Sequence, residues 1–365
     1  MNIAIVHDWL TDFAGAEKVL LELLQIYPDA DVYTSIYDRE KVPQFAKYKI
    51  QTTYLQKLPA AKKLRSFLIP LMPLAFESLD LSKYDLVISN STSAGKGVLT
   101  RPATCHISYC HTPTRYLWLP EMDGRASSSW LRRSVYKKLK NWDLAASARP
   151  DFYIANSKNI QARIEKFYHR QSEVVYPPVD TNFYNPKESE IKKNDFYLFV
   201  GRFVPYKKAD IVIEAFNKLG IELRLIGAGP EEKHLRKVAK ENIKFLGRAT
   251  DEVLFDNLKS ARALIFPSEE DWGIVPVEAM ACGTPVIAFG AGGATETVVA
   301  GKTGEFFGQQ SPESIIAAVK KSNPEKYKFA DLRAQALKFS AENFRRNFKI
   351  CVDKMYSEYK AADKP

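Results

Sequence analysis

Short apolar runs alternate with longer segments of helical periodicity along most of the chain. Uninterrupted apolar runs of strand length are typical of strands that are buried on both faces of a parallel sheet. In the first half of the chain the predicted strands are 3–6, 31–36, 86–89, 106–109, 152–156 and 174–176. In the second half they are 196–200, 223–226, 243–245, 263–266 and 286–288, with helices at 209–219, 231–240, 251–260, 277–281 and 295–299. This alternation predicts an α/β fold with two doubly wound parallel sheets.

A polar segment, 185–194, divides the two series of strands. We predict a Rossmann-like domain over 1–180, a linker over 181–194, a second Rossmann-like domain over 195–340 and a C-terminal helix over 341–365 that packs back on the first domain. A chain of 365 residues is long enough for two domains with separate cores. Parallel sheets bind ligands beyond the carboxyl ends of their strands, so we predict an active site in a cleft between the two domains.

The charge of the chain is unusual. Lysine and arginine outnumber aspartate and glutamate by 53 to 43, a formal net charge of +10. This excess is compatible with nucleic acid, an anionic membrane or a polyanionic substrate. Four cysteines without C-x-x-C spacing favour a reducing compartment. The first ten residues lack the basic start of a signal peptide, and no apolar run is long enough to cross a membrane. We therefore expect a cytoplasmic protein that at most lies on a membrane surface.

Two glycine-rich segments resemble nucleotide-binding loops but lack required residues. Gly227 and Gly229 follow a predicted strand, yet Glu232 stands where the dinucleotide fingerprint needs glycine, so an ordinary strand-to-helix turn is favoured. The segment 90–97 lacks the opening glycine of a P-loop and has Gly97 in place of the hydroxyl residue that binds magnesium. No group of histidines, cysteines and carboxylates has the spacing of a metal site, so neither a metal nor a cofactor is predicted.

Two carboxylates lie close together in sequence after a predicted strand. Glu270 is on the loop and Glu278 is in the helix that follows. At the start of that helix, the backbone N–H groups of Gly273, Ile274 and Val275 are suited to phosphate. Carboxylates accept hydrogen bonds from sugar hydroxyls, so the combination suggests a nucleotide-sugar site. The alternative is that Glu270 caps a turn and Glu278 decorates an exposed helix start.

Cations that suit a diphosphate follow the first strand of the second domain. Gly201 and Arg202 end this strand, and Lys207 comes shortly after. Arginine can bind two phosphate oxygens at once, and lysine supplies a mobile point charge. Lys208 is more readily explained as a solvated surface residue.

These motifs resemble the retaining glycosyltransferases of the GT-B fold, family 4. In the second domain the similar residues are Gly201, Arg202, Lys207, Glu270, Glu278, Gly283, Pro285, Gly292, Gly293 and Glu296. In the first domain they lie in the segments 7–11, 15–19, 109–118, 155–158 and 176–180, which resemble the mannosyltransferase-like branch that builds bacterial surface polysaccharides. One departure is Ala16, which stands after Gly15 where the family has a second glycine. Its methyl group is expected to crowd the donor phosphate or to require a different loop path.

The resemblance implies a role for each matching residue. Glu278 would bind the ribose of the nucleotide, Glu270 would accept hydroxyls of the hexose, and Gly15 would belong to the donor site. Arg202 and Lys207 would stabilise the departing diphosphate without a metal.

Further roles follow from the same resemblance. His111 would reach the hexose or the reacting centre, with a buried structural histidine as the alternative. Ser91, Lys96 and Arg115 would bind the acceptor. The donor would be a GDP- or UDP-hexose, with GDP-mannose favoured, and the acceptor a glycan or a lipid-linked sugar.

Two stretches without acidic residues hold much of the positive charge, 57–76 and 125–140. Basic residues mixed with aromatic and aliphatic ones are typical of surfaces that lie on anionic lipid, and solvated helices are the alternative. Nucleic acid is disfavoured, because no nucleic-acid-binding motif accompanies the charge. The alternatives to a transferase are a nucleotide-sugar epimerase of the same fold and a non-catalytic protein that binds sugar nucleotides or nucleic acid.

Overall fold

Two parallel sheets organise the protein, which is represented by a computed structural model that describes residues 1–120 and 130–362. The chain divides into two units. The first consists of Met1–Pro178 with Glu342–Pro365, and the second is Val179–Ala341. The prediction of an α/β fold with two Rossmann-like sheets is confirmed.

The first unit contains a seven-stranded sheet in the order β3-β2-β1-β4-β5-β6-β7, and every pair is parallel. Its strands are β1 (Ile3–His7), β2 (Asp31–Thr34), β3 (Ile50–Thr52), β4 (Leu86–Ser91), β5 (Cys105–Cys110), β6 (Phe152–Ala155) and β7 (Glu173–Val174). Its helices are α1 (Gly15–Ile26), α2 (Met72–Glu77), α3 (Arg115–Trp118), α4 (Trp130–Ala146) and α5 (Lys158–Tyr168). All side chains of β4 and β5 are buried, as expected for central strands that are covered on both faces.

The second unit contains a six-stranded parallel sheet in the order β10-β9-β8-β11-β12-β13. Its strands are β8 (Phe196–Val200), β9 (Glu222–Ile226), β10 (Ile243–Gly247), β11 (Leu264–Phe266), β12 (Val286–Phe289) and β13 (Gly304–Phe307). Its helices are α6 (Ala209–Leu219), α7 (Glu232–Val238), α8 (Asp251–Ser260), α9 (Ile274–Ala281), α10 (Ala294–Thr297), α11 (Pro312–Lys321) and α12 (Phe329–Leu337). The strand order reverses between β8 and β11, where a doubly wound sheet opens toward a ligand.

A C-terminal helix, α13 (Ala341–Ala362), belongs to the first unit from Glu342 onward. Its buried residues recur at helical spacing: Phe344, Phe348, Val352 and Met355. The rings of Phe344 and Phe348 contact the Tyr109 ring edge-on, at centroid distances of 6.0 and 5.8 Å. This apolar face therefore completes the core on one side of the first sheet. The predicted extension to 363–365 lies outside the described residues.

The segment 181–194, which the sequence suggests as a linker, lies within the second unit. Thr181 and Tyr184 are buried. The Arg333 guanidinium donates hydrogen bonds to their carbonyl oxygens, at 2.7 Å and 2.6 Å respectively. The start of this predicted linker is therefore anchored to α12 through its backbone.

Candidate functional site

In the second unit, loops after two neighbouring strands carry the predicted donor-site residues. Lys207 follows β8, and Glu270 follows β11. Their side chains form an ion pair through Lys207 Nζ and Glu270 Oε1, with 15% and 19% of each side chain exposed. The Ser268 hydroxyl donates to the same Glu270 oxygen at 3.0 Å. The paired β8 and β11 thus bring together two residues that are far apart in sequence.

The loop that carries Glu270 is held by Gly292 and Gly293. The Gly293 N–H donates to the Glu270 carbonyl at 2.9 Å. A Cβ atom on Gly293 would lie 2.1 Å from the Trp272 Cα, and one on Gly292 would lie 2.6 Å from the Glu270 carbonyl oxygen. Only glycine allows backbone to approach backbone this closely. Gly292 and Gly293, which belong to the motif that resembles the family, therefore pack against the Glu270 loop.

Helix α9 begins after Gly273, whose φ of +91° is one that L side chains rarely adopt. Glu278 lies in this helix and is 3% exposed. The alternative that Glu278 decorates an exposed helix start is therefore wrong. A carboxylate this deeply buried needs polar partners, which an exposed helix start would not require. Ile274 and Val275, in the first turn, are half-buried.

The Arg202 loop packs against the turn that contains Gly227 and Gly229. A Cβ atom on Gly227 would lie 1.9 Å from the Gly201 carbonyl oxygen, and one on Gly229 would lie 2.3 Å from the Phe203 carbonyl oxygen. The turn links β9 to α7, as the sequence predicts. Arg202 itself is exposed, which leaves its guanidinium accessible at the carboxyl edge of β8. The two glycines thus shape the loop that presents Arg202.

In the first unit, the segment that resembles a P-loop surrounds a carboxylate of the protein itself. The Asp8 side chain accepts hydrogen bonds from the N–H groups of Thr92, Ser93 and Gly95, at 2.6, 3.0 and 2.7 Å. The Ser91 hydroxyl also donates to Asp8, at 3.1 Å. Consecutive backbone N–H groups of this kind form an anion-binding nest. Here the Asp8 carboxylate occupies the nest. The segment therefore resembles a phosphate-binding loop although it lacks residues that a P-loop requires.

Two of the predicted acceptor-binding residues have internal partners. Ser91 is 3% exposed and bonded to Asp8. Lys96 is also 3% exposed and forms an ion pair with Asp143. The Asp143 carboxylate accepts further hydrogen bonds from Thr114, Trp118 and Tyr168. These contacts favour a structural role for Ser91 and Lys96, whereas Arg115 is half-buried at the start of α3.

His111 lies just after β5 and is 9% exposed. Its Nε2 atom is 2.6 Å from the Asn90 Oδ1 atom at the end of β4. Burial, with a smaller contribution from His7, lowers the pKa of His111 to about 3, so the imidazole is neutral at physiological pH. Gly15 and Ala16 form the start of α1, and the Ala16 carbonyl accepts a hydrogen bond from the Asn90 amide at 3.0 Å. Asn90 therefore contacts both His111 and the start of α1.

Sequence reasoning did not single out Asp8, Asn90 or Ser268 as site residues. Each lies at or just after the carboxyl end of a strand, where ligands of parallel sheets bind. Asp8 and Asn90 contact partners that are distant in sequence, whereas Ser268 contacts Glu270, two residues away.

The first basic stretch, 57–76, exposes an apolar stripe. Leu64, Phe67, Leu71 and Leu74 are 45%, 75%, 40% and 61% exposed. Two of its four basic residues have acidic partners, because Lys62 pairs with Asp38 and Arg65 with Asp12. Lys57 and Lys63 are exposed. Ion pairs thus neutralise part of the positive charge in this stretch. The stretch also exposes apolar side chains, which its net charge does not indicate.

The second basic stretch, 125–140, begins outside the described residues, which resume at 130. Leu139 is buried, and Val135 and Tyr136 pack against the first unit's core. Lys137 and Lys138 are exposed, and Lys140 lies over the Trp118 ring at 4.3 Å. In this part of the stretch the described apolar residues therefore face the protein. Within the described residues no helix is both long and apolar enough to span a bilayer.

Two family descriptions match the chain. Residues 13–183 match "Glycosyltransferase Family 4", and residues 180–336 match "Glycosyl transferases group 1". The crystal structure of Anabaena HepE in complex with UDP has the same fold, with a TM-score of 0.73 and 20% identity. That superposition covers 97% of this chain and 100% of HepE.

Curated relatives are glycosyltransferases. An uncharacterized glycosyltransferase of Methanocaldococcus jannaschii is 33% identical over 177 residues, 47% of this chain and 49% of that protein. A D-inositol 3-phosphate glycosyltransferase of Mycobacteroides abscessus is 28% identical over 280 residues, 63% and 61% of the two chains. A GDP-mannose-dependent monoacylated α-(1-6)-phosphatidylinositol monomannoside mannosyltransferase of Corynebacterium glutamicum is 37% identical over 113 residues, 27% and 30%. The first two matches span about half to three fifths of the relatives' length. The chain thus contains a glycosyltransferase family 4 domain followed by a glycosyl transferases group 1 domain, and together these matches extend from residue 13 to residue 336 of a GT-B fold.

Proposed function

We propose that this protein is a retaining hexosyltransferase that moves a hexose, with mannose from GDP-mannose favoured, to a glycan or lipid-linked acceptor. The observation that carries the proposal is the group at the carboxyl edge of the second sheet. This group consists of the ion pair of Lys207 and Glu270, the buried Glu278 and the start of α9. Cations and N–H groups suit a diphosphate, and carboxylates suit hydroxyls.

In the proposed reaction, donor binding separates the two members of the ion pair. Lys207 turns to the diphosphate with Arg202, and Glu270 accepts hexose hydroxyls. The bond between the anomeric carbon and the phosphate oxygen breaks as the acceptor oxygen bonds to the same face of that carbon. The acceptor proton passes to the departing phosphate oxygen. Lys207 and Arg202 stabilise the charge that develops on the phosphate.

The donor is open to a direct test. The relative from C. glutamicum is described as GDP-mannose-dependent, whereas HepE was crystallised with UDP. We expect GDP-mannose to raise the melting temperature of the purified protein more than other GDP- or UDP-hexoses, and to be consumed when an acceptor is supplied. An epimerase would instead convert the donor to its isomer without acceptor. A non-catalytic binder would show the thermal shift and no product.

We expect transfer to persist in excess EDTA, because Arg202 and Lys207 supply the positive charge that a divalent cation would otherwise provide. The measurement is the initial rate of transfer with EDTA and with added Mg²⁺ or Mn²⁺. Rates that agree within about twofold support this proposal. Activity that requires the added metal would contradict it.

We also propose that the apolar stripe on residues 64–74 binds the surface of an anionic membrane, where a lipid-linked acceptor would be found. Large exposed apolar side chains beside lysines suit the boundary between headgroups and acyl chains. We expect the protein to float with vesicles that contain anionic lipid, and to float less at high salt. A Phe67→Ser/Leu74→Ser double variant is expected to bind at least about a hundredfold more weakly, since burial of two large apolar side chains contributes about 3–6 kcal/mol.

The control for this experiment is Leu246→Ser/Val253→Ser in the second unit, where the two side chains are 41% and 44% exposed. This variant is expected to bind vesicles as the unmodified protein does. Binding that ignores lipid charge, or equal loss in both double variants, would refute the membrane proposal.

A further inference from the structure

A chain of buried polar side chains connects His111 to the start of α1. It runs from His111 through Asn90 and His7 to Glu17, and these residues lie just after β5, in β4, in β1 and in α1 in turn. His7 is 2%, Asn90 0% and Glu17 5% exposed. Buried polar groups of this kind are retained only where each finds a partner, so the hydrogen atoms along the chain can be assigned.

The Asn90 amide group is oriented by the Ala16 carbonyl oxygen, which only accepts hydrogen bonds. Its Nδ2 atom lies 3.0 Å from the Ala16 carbonyl oxygen and 3.0 Å from the His7 Nδ1 atom. Its Oδ1 atom therefore faces His111 Nε2, at 2.6 Å. Since an amide oxygen only accepts, His111 must carry its hydrogen on Nε2.

His7 and Glu17 hold Asn90 in this orientation. His7 Nδ1 lies 3.0 Å from the Asn90 Nδ2 atom and 3.1 Å from the Asn90 carbonyl oxygen, and His7 Nε2 lies 3.3 Å from Glu17 Oε1. Glu17 Oε2 in turn accepts from the Ala14 N–H at 2.9 Å, just before α1. Glu17 therefore anchors both the chain of side chains and the loop that precedes α1.

We propose that Asn90, held by His7 and Glu17, is a positioning residue that fixes His111 as the Nε2–H tautomer and so leaves Nδ1 as its hydrogen-bond acceptor for a substrate hydroxyl. This inference rests on the proposed function of His111 in sugar transfer. It adds the tautomer, its origin and the residues that impose it.

The groups around His111 favour a neutral imidazole. His7 is the titratable neighbour across Asn90, and Glu17 lies beyond it on α1. The Tyr109 ring lies edge-on to His111 at 5.1 Å, and burial raises the pKa of Tyr109, so it stays uncharged. Behind Tyr109, α13 places the rings of Phe344 and Phe348. The Asn156 amide donates to the His111 carbonyl at 3.0 Å and fixes the backbone.

The same two strands contain a matched control. Ser89 Oγ lies 2.9 Å from His106 Nε2, and both residues are fully buried. Ser89 precedes Asn90 directly, so its side chain points to the opposite face of the sheet. Burial also lowers the pKa of His106 to about 3. Ser89→Ala therefore removes a buried hydrogen bond to a neutral histidine without changing the side chains that connect Glu17 to His111.

The first experiment observes the tautomer directly, by ¹⁵N NMR of protein with labelled histidines between pH 5 and 8. The five histidine signals are assigned with single His→Gln variants. We expect His111 to show a protonated Nε2 and a bare Nδ1 throughout. In Asn90→Asp the adjacent carboxylate should favour the imidazolium, so His111 should begin to titrate within this range. A protonated Nδ1, or titration of His111 in the unmodified protein, would overturn the proposal.

The second experiment measures kcat/KM against pH for transfer from the best donor of the screen. Asn90→Ala is expected to lower kcat by about ten- to a hundredfold through loss of orientation, whereas Ser89→Ala should retain kcat. Asn90→Asp should lose activity on the acid side and recover it as the pH rises, because the imidazolium has no acceptor at Nδ1. Equal losses in Asn90→Ala and Ser89→Ala would assign Asn90 to general stability and overturn the proposal. Absence of transfer in the unmodified protein would instead refute the proposed function, and the NMR result would still decide the tautomer.

Discussion

Sugar transfer is expected to fall by about 10²–10³-fold when Lys207 is replaced by alanine, the loss found when one preorganised donor to a developing negative charge is removed. Lys207 is mostly buried at the carboxyl edge of β8, where its charge acts with less screening than at the surface. The effect should appear mainly in kcat, because the charge on the phosphate grows as the sugar leaves. Arg202→Ala is expected to act in the same direction.

Lys208→Ala is the matched control for Lys207→Ala. Lys208 is the adjacent residue, also half-buried, and it precedes α6 in the left-handed backbone conformation, with φ +56°. The measurements are initial transfer rates and melting temperatures of the three variants. We expect the Lys208 variant to keep its kcat and all three to remain folded. Full turnover in both Lys207→Ala and Arg202→Ala would remove these residues from the active site.

Glu270→Ala is expected to abolish measurable transfer from the preferred hexose donor. In a site built to bind substrate hydroxyls, kcat/KM falls by several orders of magnitude when a polar group of the site or the substrate loses its partner. The variant also leaves Lys207 without its carboxylate partner, so binding of the free nucleoside diphosphate is expected to be retained or strengthened. Isothermal titration with the nucleotide, alongside transfer assays with the sugar nucleotide, separates the two effects.

Glu305→Ala is the control for Glu270→Ala. Glu305 lies on β13 of the same sheet, its side chain is 18% exposed, and it pairs with Lys326 at 2.7 Å. The control removes a carboxylate of equal exposure and a comparable ion pair, and should leave transfer unchanged. Equal loss of transfer in the two variants would mean that any broken ion pair in this unit is harmful, which would contradict a specific role for Glu270.

The central strands of both sheets could be predicted from the sequence, because burial on both faces leaves an uninterrupted apolar run. The strand β8 and the helices α6 and α8 have the predicted limits. The strands β3 and β13 were not predicted. Both are edge strands with partly exposed side chains, so their apolar pattern is weaker.

Helix α9 begins three residues earlier than predicted, at Ile274 and not Val277. Pro276 argues against a helix in a sequence-based reading. In the first turn, however, a proline costs no intrahelical hydrogen bond, because the N–H groups there have no partner within the helix. The earlier start brings the N–H groups of this turn next to the Glu270 loop.

The sequence by itself determined which residues end the strands of the two sheets, and hence that Arg202, Lys207, Glu270 and His111 lie at carboxyl edges. That follows from local periodicity, which the chain carries in every segment. Only the tertiary structure decided which of these groups have partners. Lys96 is neutralised by Asp143, Asp8 fills the loop that resembles a phosphate site, and Asn90 sets the tautomer of His111. The physical reason is that hydrogen bonds and ion pairs depend on distances of about 3 Å between residues that are far apart in sequence, and only the packed chain brings such residues together.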